Sequence, residues 1–313
     1  VFFHHYSWKT GQRNKNSRSK ILVLPGFTAK VEFNRRRKLE FDYNLRSGFS
    51  DALSFANRYY LSSYNTVYRG NEELENDLRH DFRLTFSRFR TYRSASYSAT
   101  AHYTKQVKGV QNATVYEGVN RILTTILLDN PESRWGVSGN IRRRIWDLDL
   151  RLRVSYSASK YQQLVNEQLE TNRNQQGNYR LSAKTLMENW PIVEIGLRQG
   201  LGHFRLGGLE SESVSTEPYI NVDYDFWDGF IASFDYSFYN YRNQSLNQTD
   251  THQMANASLY YKKSSSAWSF ELKAKNLLDV AFKNQHSFSS YIISNRRTYI
   301  LPRTLMFSIG YNL

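Results

Sequence analysis

The sequence contains no cysteine and no long hydrophobic run. The absence of cysteine excludes disulfide scaffolds, cysteine-ligated zinc and thiol catalysis. No stretch of 18 uncharged apolar residues occurs, so the sequence predicts no transmembrane helix. The first residues, VFFHHYSWKT, show no initiator methionine, basic leader or cleavage site. We therefore expect either that a signal has been removed or that the chain begins within a longer protein.

Recognisable catalytic and cofactor-binding motifs are also missing. The seven histidines show neither an HExxH motif nor the spacing of metal ligands. The segment GLGHFRLGG lacks the third glycine and the following helix of a dinucleotide-binding loop. We therefore predict a protein that is not an enzyme and that uses no cofactor or metal.

The composition combines many aromatic side chains with a hydrophilic balance. Apolar residues make up 40% of the chain, aromatic residues make up 15%, and 23 residues are tyrosine. This balance is typical of a sheet that faces lipid on one side and water on the other. It favours a membrane β-sheet over a protein with a large buried core.

The formal net charge of +14 raises nucleic acid as a partner. Many of the basic residues, however, lie at or beside predicted short turns, as in Arg142–Arg144 and Lys262–Lys263. Basic side chains at a membrane rim can reach lipid phosphates. We therefore expect outer-membrane lipid, and no nucleic acid, as the partner.

Apolar and polar residues alternate along most of the chain. FTAKVEFN and KLEFDYNLR alternate strictly around a turn near residues 34–37, and LDLRLRVSYSAS places six apolar residues at every second position. Such spacing excludes a helix and predicts strands. About fourteen strands can be drawn, and no change of composition marks a second domain. The sequence thus predicts an all-β, antiparallel transmembrane β-barrel region over residues 1–313.

The predicted connections alternate between short and long. Short ones lie near residues 34–37, 87–93, 143–147, 187–191, 227–229 and 262–267, and long polar ones near 47–77, 105–133, 159–177, 200–218, 239–253 and 276–303. This asymmetry is typical of an outer-membrane barrel with short periplasmic turns and long external loops. In a soluble β-sandwich there is no physical reason for short and long connections to alternate along the whole chain.

In a barrel the apolar face meets lipid and the polar face lines the lumen. Candidate ligand or plug contacts on the polar face are Arg46, Arg151, Arg153, Arg180, Arg198, Asp223 and Asp235. The alternative is that such charges only neutralise one another in a wet lumen. Binding candidates in a long loop are Tyr59, Tyr60, Tyr64 and Tyr68, which could instead form an outer aromatic girdle.

Three stretches carry a family resemblance: YRGNEELENDLRHDFRLTFSRF, FELKAKNLLD and the closing TLMFSIGYNL. Together they resemble the C-terminal part of TonB-dependent outer-membrane receptors of the type abundant in Bacteroidetes. The chain departs from the family pattern at Glu72 and Asn76, where prolines are common, and at Leu313, which replaces a terminal phenylalanine.

The resemblance implies a 22-stranded barrel with an N-terminal plug, of which this chain would be the last fourteen or so strands. Such receptors lie in the Gram-negative outer membrane and import an iron chelate, a cobalamin, a glycan or a peptide. The implied partners are the TonB complex through an upstream region, the barrel-assembly machinery and, for some ligands, a surface lipoprotein. The implied insertion signal comprises Phe307, Ile309, Tyr311 and Leu313.

Two other functions stay open at this stage. One is a complete fourteen-stranded barrel that acts as a passive channel. The other is a soluble basic β-protein that binds surface polymers or nucleic acid.

Overall fold

A computed structural model describes residues 2–10, 14–34, 36–90, 95–206, 209–263, 265–288 and 293–311. These residues form nineteen strands and one short 3-10 helix, Ala52–Phe55. None of the helical residues described forms a segment long and apolar enough to cross a membrane. The prediction of an antiparallel all-β fold is confirmed.

The strands, in chain order, are β1 (Phe2–Thr10), β2 (Asn14–Leu22), β3 (Gly26–Asn34), β4 (Arg37–Gly48), β5 (Tyr59–Ser63), β6 (Thr66–Arg69), β7 (Asp77–Arg90), β8 (Ala95–Glu117), β9 (Asn120–Ile145), β10 (Leu148–Val165), β11 (Gln168–Thr185), β12 (Ile192–Leu206), β13 (Leu209–Phe226), β14 (Phe230–Asn243), β15 (Gln248–Tyr261), β16 (Trp268–Lys275), β17 (Phe282–Phe288), β18 (Ile293–Tyr299) and β19 (Thr304–Tyr311).

Thirteen strands follow one path through the main sheet, from β3 through β4, β7 and β8 to β16 and then β19. Neighbours on this path pair antiparallel. β5 and β6 form a side hairpin, and β6 pairs parallel with the start of β9. β1 with β2, and β17 with β18, form separate hairpins.

The two ends of the sheet can be told apart by their turns. The near end carries the turns that follow β9, β11, β13 and β15, and the far end carries those that follow β8, β10 and β14. β19 runs towards the near end, because Tyr311 pairs with Trp268 at the start of β16. The closing strand therefore finishes at the near end.

The alternation in the sequence gives the sheet one apolar face and one polar face. Cross-strand register places Phe82 beside Tyr103 and Tyr103 beside Trp135 on the apolar face. No protein layer covers this face among the described residues, and Phe307 and Ile309 are 64% and 58% exposed. An extended exposed apolar surface of this kind requires lipid or another apolar partner.

Aromatic rings form a belt at each margin of the apolar face. The near belt links Phe226, Phe230, Tyr261, Phe270 and Phe307, with ring centroids 4.3–6.3 Å apart. The far belt includes Tyr43, Phe82, Tyr103, Trp135 and Tyr156, with contacts of 4.9–6.3 Å that also involve neighbouring rings. Two belts flanking an apolar band are expected of a barrel wall in a membrane.

The predicted long loops between residues 105 and 253 are wrong. β8 and β9 are 23 and 26 residues long and meet in a tight turn at residues 118–119. A membrane needs only about 9–11 residues per strand, so both strands continue well beyond the far belt. Beyond a membrane both faces of a sheet meet water, so backbone pairing persists while the apolar alternation disappears. The sequence pattern therefore indicated loops where strands continue.

Candidate functional site

The polar face carries a cluster of five side chains centred on Tyr219, which is 5% exposed. Its hydroxyl accepts hydrogen bonds from Arg180 at 2.8 and 3.0 Å and donates one to Glu194 at 2.8 Å. Arg198 lies over the same ring, with its guanidinium carbon 4.4 Å from the centroid, and donates to Glu217 at 2.9 Å. We call these five residues the arginine–tyrosine cluster.

Strand register assembles the arginine–tyrosine cluster. Arg180 on β11 is opposite Arg198 on β12, which is opposite Glu217 on β13. Tyr219 is opposite Gly196, where an added Cβ would come 2.5 Å from the tyrosine side chain. The absence of a side chain at residue 196 therefore makes room for the ring. Sequence reasoning missed Tyr219 because it depends on a pairing partner 23 residues away.

Arg153 adds a third guanidinium next to this cluster. It lies opposite Arg180 in the β10–β11 register and makes no ion pair with any described residue. A concavity of about 270 Å³ is lined by Arg153, Arg180, Arg198, Asn178 and Tyr239, among others. Three guanidiniums face two carboxylates here, so the wall can accept an additional anionic group.

A second ion cluster lies on the same face near the turn between β9 and β10. Asp149 is only 1% exposed and accepts hydrogen bonds from Arg142 at 2.9 Å and from Arg151 at 2.7 Å. The sequence analysis predicted that Arg142 lies at a membrane rim, where its side chain reaches lipid phosphate. The structure corrects this, because Arg142 is bound to a carboxylate on the polar face.

Arg46 lines a larger concavity of about 690 Å³ on the polar face of β4, β7, β8 and β9. Arg46 and Arg79 lie 3.3 and 3.4 Å from the carboxylate of Asp81. Arg83 and His102, opposite each other in register, also line it. The concavity is polar and carries more basic than acidic side chains.

The two predicted acidic residues lie on the polar face outside these concavities. Asp235 accepts a hydrogen bond from Asn256 at 2.8 Å. Asp223 is exposed and faces Ser233 in the β13–β14 register. That any of the seven predicted polar-face residues contacts a ligand or a plug stays a prediction.

The four tyrosines predicted in a loop lie instead in the β5–β6 hairpin. The rings of Tyr60 and Tyr68 are tilted by 46° with centroids 5.1 Å apart, and the hydroxyl of Tyr68 forms a hydrogen bond with that of Thr125 on β9. Tyr59 lies under Arg69 at 5.3 Å, and Tyr64 at the turn is fully exposed. The hairpin pairs with residues 121–124, more than ten residues from Trp135. These tyrosines are therefore not part of the far belt.

The side hairpin also borders a concavity of about 460 Å³, lined by Asp51, Tyr60, Tyr68 and Asn112 among others. Ser54 donates to Asp51 from its hydroxyl at 2.7 Å and from its backbone N–H at 2.9 Å, which lowers the pKa of Asp51. Loss of hydration is the main cause that raises the pKa of Tyr60, and the nearby Tyr68 and Asp51 raise it further. Tyr60 therefore stays a neutral hydroxyl that can donate a hydrogen bond.

On the closing strand, the side chains predicted as an insertion signal lie on the apolar face. Phe307 joins the near belt through Phe270 at 6.3 Å, and the ring of Tyr311 lies 4.7 Å from that of Trp268. Ile309 is opposite Phe270 in register. Leu313 lies outside the described residues. The role of these residues in insertion stays a prediction.

One group of side chains in the described part of the chain has the composition of a metal site. Each ring nitrogen of His203 lies 3.1 Å from a carboxylate, one from Glu210 and the other from Glu212. The group lies on the hairpin of β12 and β13 at the far end. Both glutamates are exposed, and exposed acidic groups of this kind are common without a bound metal.

No protein-family model and no curated protein sequence matches the chain. Among solved structures it is similar to the ferric yersiniabactin uptake receptor FyuA from Yersinia pestis, with a TM-score of 0.51 and 11% sequence identity. The similarity covers 93% of this chain and 50% of that receptor. The chain therefore spans about half the length of the structure it matches. At this identity the comparison shows the fold, which is similar to that of an outer-membrane β-barrel receptor.

Proposed function

We propose that the chain forms the C-terminal wall of a TonB-dependent outer-membrane receptor, of the type abundant in Bacteroidetes, that imports a scarce ligand. The observation that carries the proposal is the two-faced sheet. An uncovered apolar face lies between two aromatic belts, and the opposite face carries the arginine–tyrosine cluster and two concavities, the larger of which is polar. The fold similarity to an uptake receptor supports the same function.

In this proposal the polar face lines the lumen, the near end faces the periplasm and the far end faces the medium. The lumen residues Arg46, Arg151, Arg153, Arg180, Arg198, Asp223 and Asp235 contact either the ligand or a plug. A wall with an excess of guanidinium groups suits carboxylate or phosphate groups. The ligand class is an iron chelate, a cobalamin, a glycan or a peptide.

The remaining partners also belong to the proposal. TonB would engage an upstream region, and the barrel-assembly machinery would insert the chain through its closing strand. A surface lipoprotein would accompany the receptor if the ligand is a glycan or a peptide. Basic residues at the near end, such as Arg143, would meet phospholipid phosphates.

Uptake with and without TonB tests the proposed function. The full-length protein is expressed in a Gram-negative host, and its outer-membrane fraction is checked for heat-modifiable mobility in detergent. Growth on each candidate nutrient as the limiting source is then compared in cells with and without TonB. We expect growth that requires both the receptor and TonB.

Two outcomes would contradict the proposal. Solute entry that is independent of TonB would favour a passive channel. A monodisperse folded protein in the absence of detergent would favour a soluble β-protein.

A further inference from the structure

The concavity beside the β5–β6 hairpin differs in charge from the larger concavity that contains Arg46. Two carboxylates, Asp51 and Asp77, line this concavity of about 460 Å³, and no lysine or arginine lines it among the described residues. The chain as a whole carries a formal net charge of +14. Two carboxylates without a basic neighbour attract a cation. We call this concavity the acidic concavity.

Both carboxylates can accept further hydrogen bonds from a ligand. Ser54 donates two hydrogen bonds to Asp51, and both reach Oδ1. The backbone N–H of Gly48 likewise reaches Oδ1 of Asp77. In each carboxylate the second oxygen, Oδ2, keeps lone pairs for another donor.

Tyr60 adds an aromatic ring to the acidic concavity. This residue is 36% exposed and is one of the lining residues. An ammonium group is attracted both by carboxylates and by the face of an aromatic ring. The acidic concavity therefore has the composition of a site for an organic cation.

The acidic concavity is followed along β7 by the larger concavity. Asp77 and Arg79 are two residues apart, so their side chains share one face of the strand. Arg79 lines the larger concavity together with Arg46. The register repeats this step on β4, where Gly48 is opposite Asp77 and Arg46 is opposite Arg79. Along this face, negative charge near the far end is therefore followed directly by positive charge.

Arg83 is the arginine of the larger concavity that is available to an anion. The other three arginines there pair with Asp81 or Glu132. Arg83 is exposed and makes no ion pair with any residue that the structure describes. Asp42 is opposite Arg83 in register, but it accepts a hydrogen bond from Thr28 at 2.9 Å. An anion that reaches this position meets a guanidinium without a bound carboxylate.

The spacing between Asp77 and Arg83 indicates the size of the ligand. The two residues lie six positions apart on one face of β7, or about 20 Å at about 3.3 Å per residue. A ligand that reaches both must carry a cation and an anion about 20 Å apart. An extended peptide of about six residues has this separation between its ammonium and carboxylate termini.

We propose that the ligand is a short peptide with free termini, which binds through its ammonium group in the acidic concavity and through its carboxylate at Arg83. The inference rests on the proposed function and selects one of its ligand classes. An anionic iron chelate would be repelled by Asp51 and Asp77, and a neutral glycan would leave the separated charges without partners. Recognition of the two termini makes no demand on the peptide side chains, so peptides of many sequences should bind.

The test measures the binding of synthetic hexapeptides to the full-length protein in nanodiscs. The hexapeptide pool contains only uncharged side chains, so the two termini carry the only full charges. Matched pools are acetylated at the N-terminus or amidated at the C-terminus. We expect the free pool to bind more tightly than either blocked pool by about tenfold or more, because each block removes one charge-assisted contact.

Two variants assign each terminus to its site. Asp51→Asn combined with Asp77→Asn should abolish the preference over the acetylated pool and keep the preference over the amidated pool. Arg83→Gln should do the reverse. Asparagine retains an Oδ1 acceptor at both positions, so the hydrogen bonds from Ser54 and Gly48 are preserved.

The matched control changes two charges at the near end, far from both concavities. Arg143→Gln combined with Asp228→Asn should bind all three pools within about twofold of the unmodified protein. Heat-modifiable mobility in detergent checks that every variant is folded. Loss of both preferences in either test variant, or in the control, would overturn the assignment of the termini.

The comparison of the three pools on the unmodified protein needs no variant. Equal binding of the free and blocked pools would overturn the proposal. TonB-dependent uptake of an iron chelate, a cobalamin or a glycan, without binding of free hexapeptides, would refute this ligand and leave the proposed function in place. Entry of solutes without TonB would refute the proposed function itself.

Discussion

Replacing Tyr219 by phenylalanine tests whether the arginine–tyrosine cluster stabilises the wall. The change removes one hydroxyl, which accepts two N–H groups of Arg180 and donates to Glu194. The ring stays, so both guanidiniums keep an aromatic face at 5.2 and 4.4 Å. Only the hydrogen-bonding contribution is therefore lost.

The magnitude follows from the exposure of the partners. Hydrogen bonds to charged groups contribute about 1.5–3 kcal/mol each. The Arg180 side chain is 42% exposed and recovers hydration, whereas that of Glu194 is 18% exposed and recovers little. We therefore expect Tyr219→Phe to lower the free energy of unfolding by about 2 kcal/mol, well below the sum of all three bonds.

The difference in the free energy of unfolding is measured by equilibrium urea unfolding of the full-length protein embedded in lipid vesicles. The matched control is Tyr236→Phe, because the Tyr236 hydroxyl donates to the neutral Gln253 at 3.2 Å on the opposite face. We expect the control to change the free energy by less than about 0.5 kcal/mol. A loss below about 0.5 kcal/mol for Tyr219→Phe, or equal losses in both variants, would refute the reasoning.

The glycine opposite Tyr219 provides an independent check of the same geometry. An alanine Cβ at residue 196 would come 2.5 Å from the tyrosine side chain, so Gly196→Ala should destabilise the protein by about 1–3 kcal/mol through overpacking. In a Tyr219→Ala background the same change should cost almost nothing, because the clashing ring is gone. Equal costs in both backgrounds would contradict the packing described here.

Three further predictions concern the other sites. Asp149→Asn should destabilise the protein by about 2–3 kcal/mol in the same unfolding assay, since it leaves two guanidiniums without their shared carboxylate, while the exposed Asp147→Asn should have almost no effect. The pKa of Asp51 is lowered in the folded protein, so its capping of the 3-10 helix Ala52–Phe55 stabilises that helix above about pH 4, and this stabilisation is lost as the pH falls through the folded pKa. Hydrogen exchange at the Ser54 amide should show this loss in the unmodified protein and not in Asp51→Asn. Replacing Tyr311 and Leu313 together by serine should abolish assembly of the full-length protein, measured by heat-modifiable mobility, and normal insertion would count against the insertion signal.

The sequence was sufficient to predict the part of the sheet that has one apolar and one polar face. From Leu148 to Ala158, every second residue is apolar because one face meets apolar surroundings and the other meets water. The same rule failed beyond Ala158, since strands that face water on both sides need no alternation. β10 therefore continues to Val165 through residues that resemble a loop.

The site was harder to predict than the fold, for a related reason. Alternation assigned Arg180 and Arg198 to the polar face, but it carried no information about which residues are neighbours across strands. Tyr219 lies on the same face and was missed, because only the register places it opposite Gly196. A glycine facing a tyrosine could have suggested the pair if the β12–β13 register had been known.

The length of β8 and β9 has a practical consequence for the proposed orientation of the sheet in the membrane. Their connecting turn at Gly118 and Val119 lies fifteen or more residues beyond Trp135, or about 50 Å along the strand. An added side chain at Gly118 meets nothing within 4 Å, and Val119 is 82% exposed. In the orientation proposed above, a peptide epitope inserted at this tip would therefore be displayed on a stiff β-stalk, within reach of antibodies on intact cells, without disturbing the polar face.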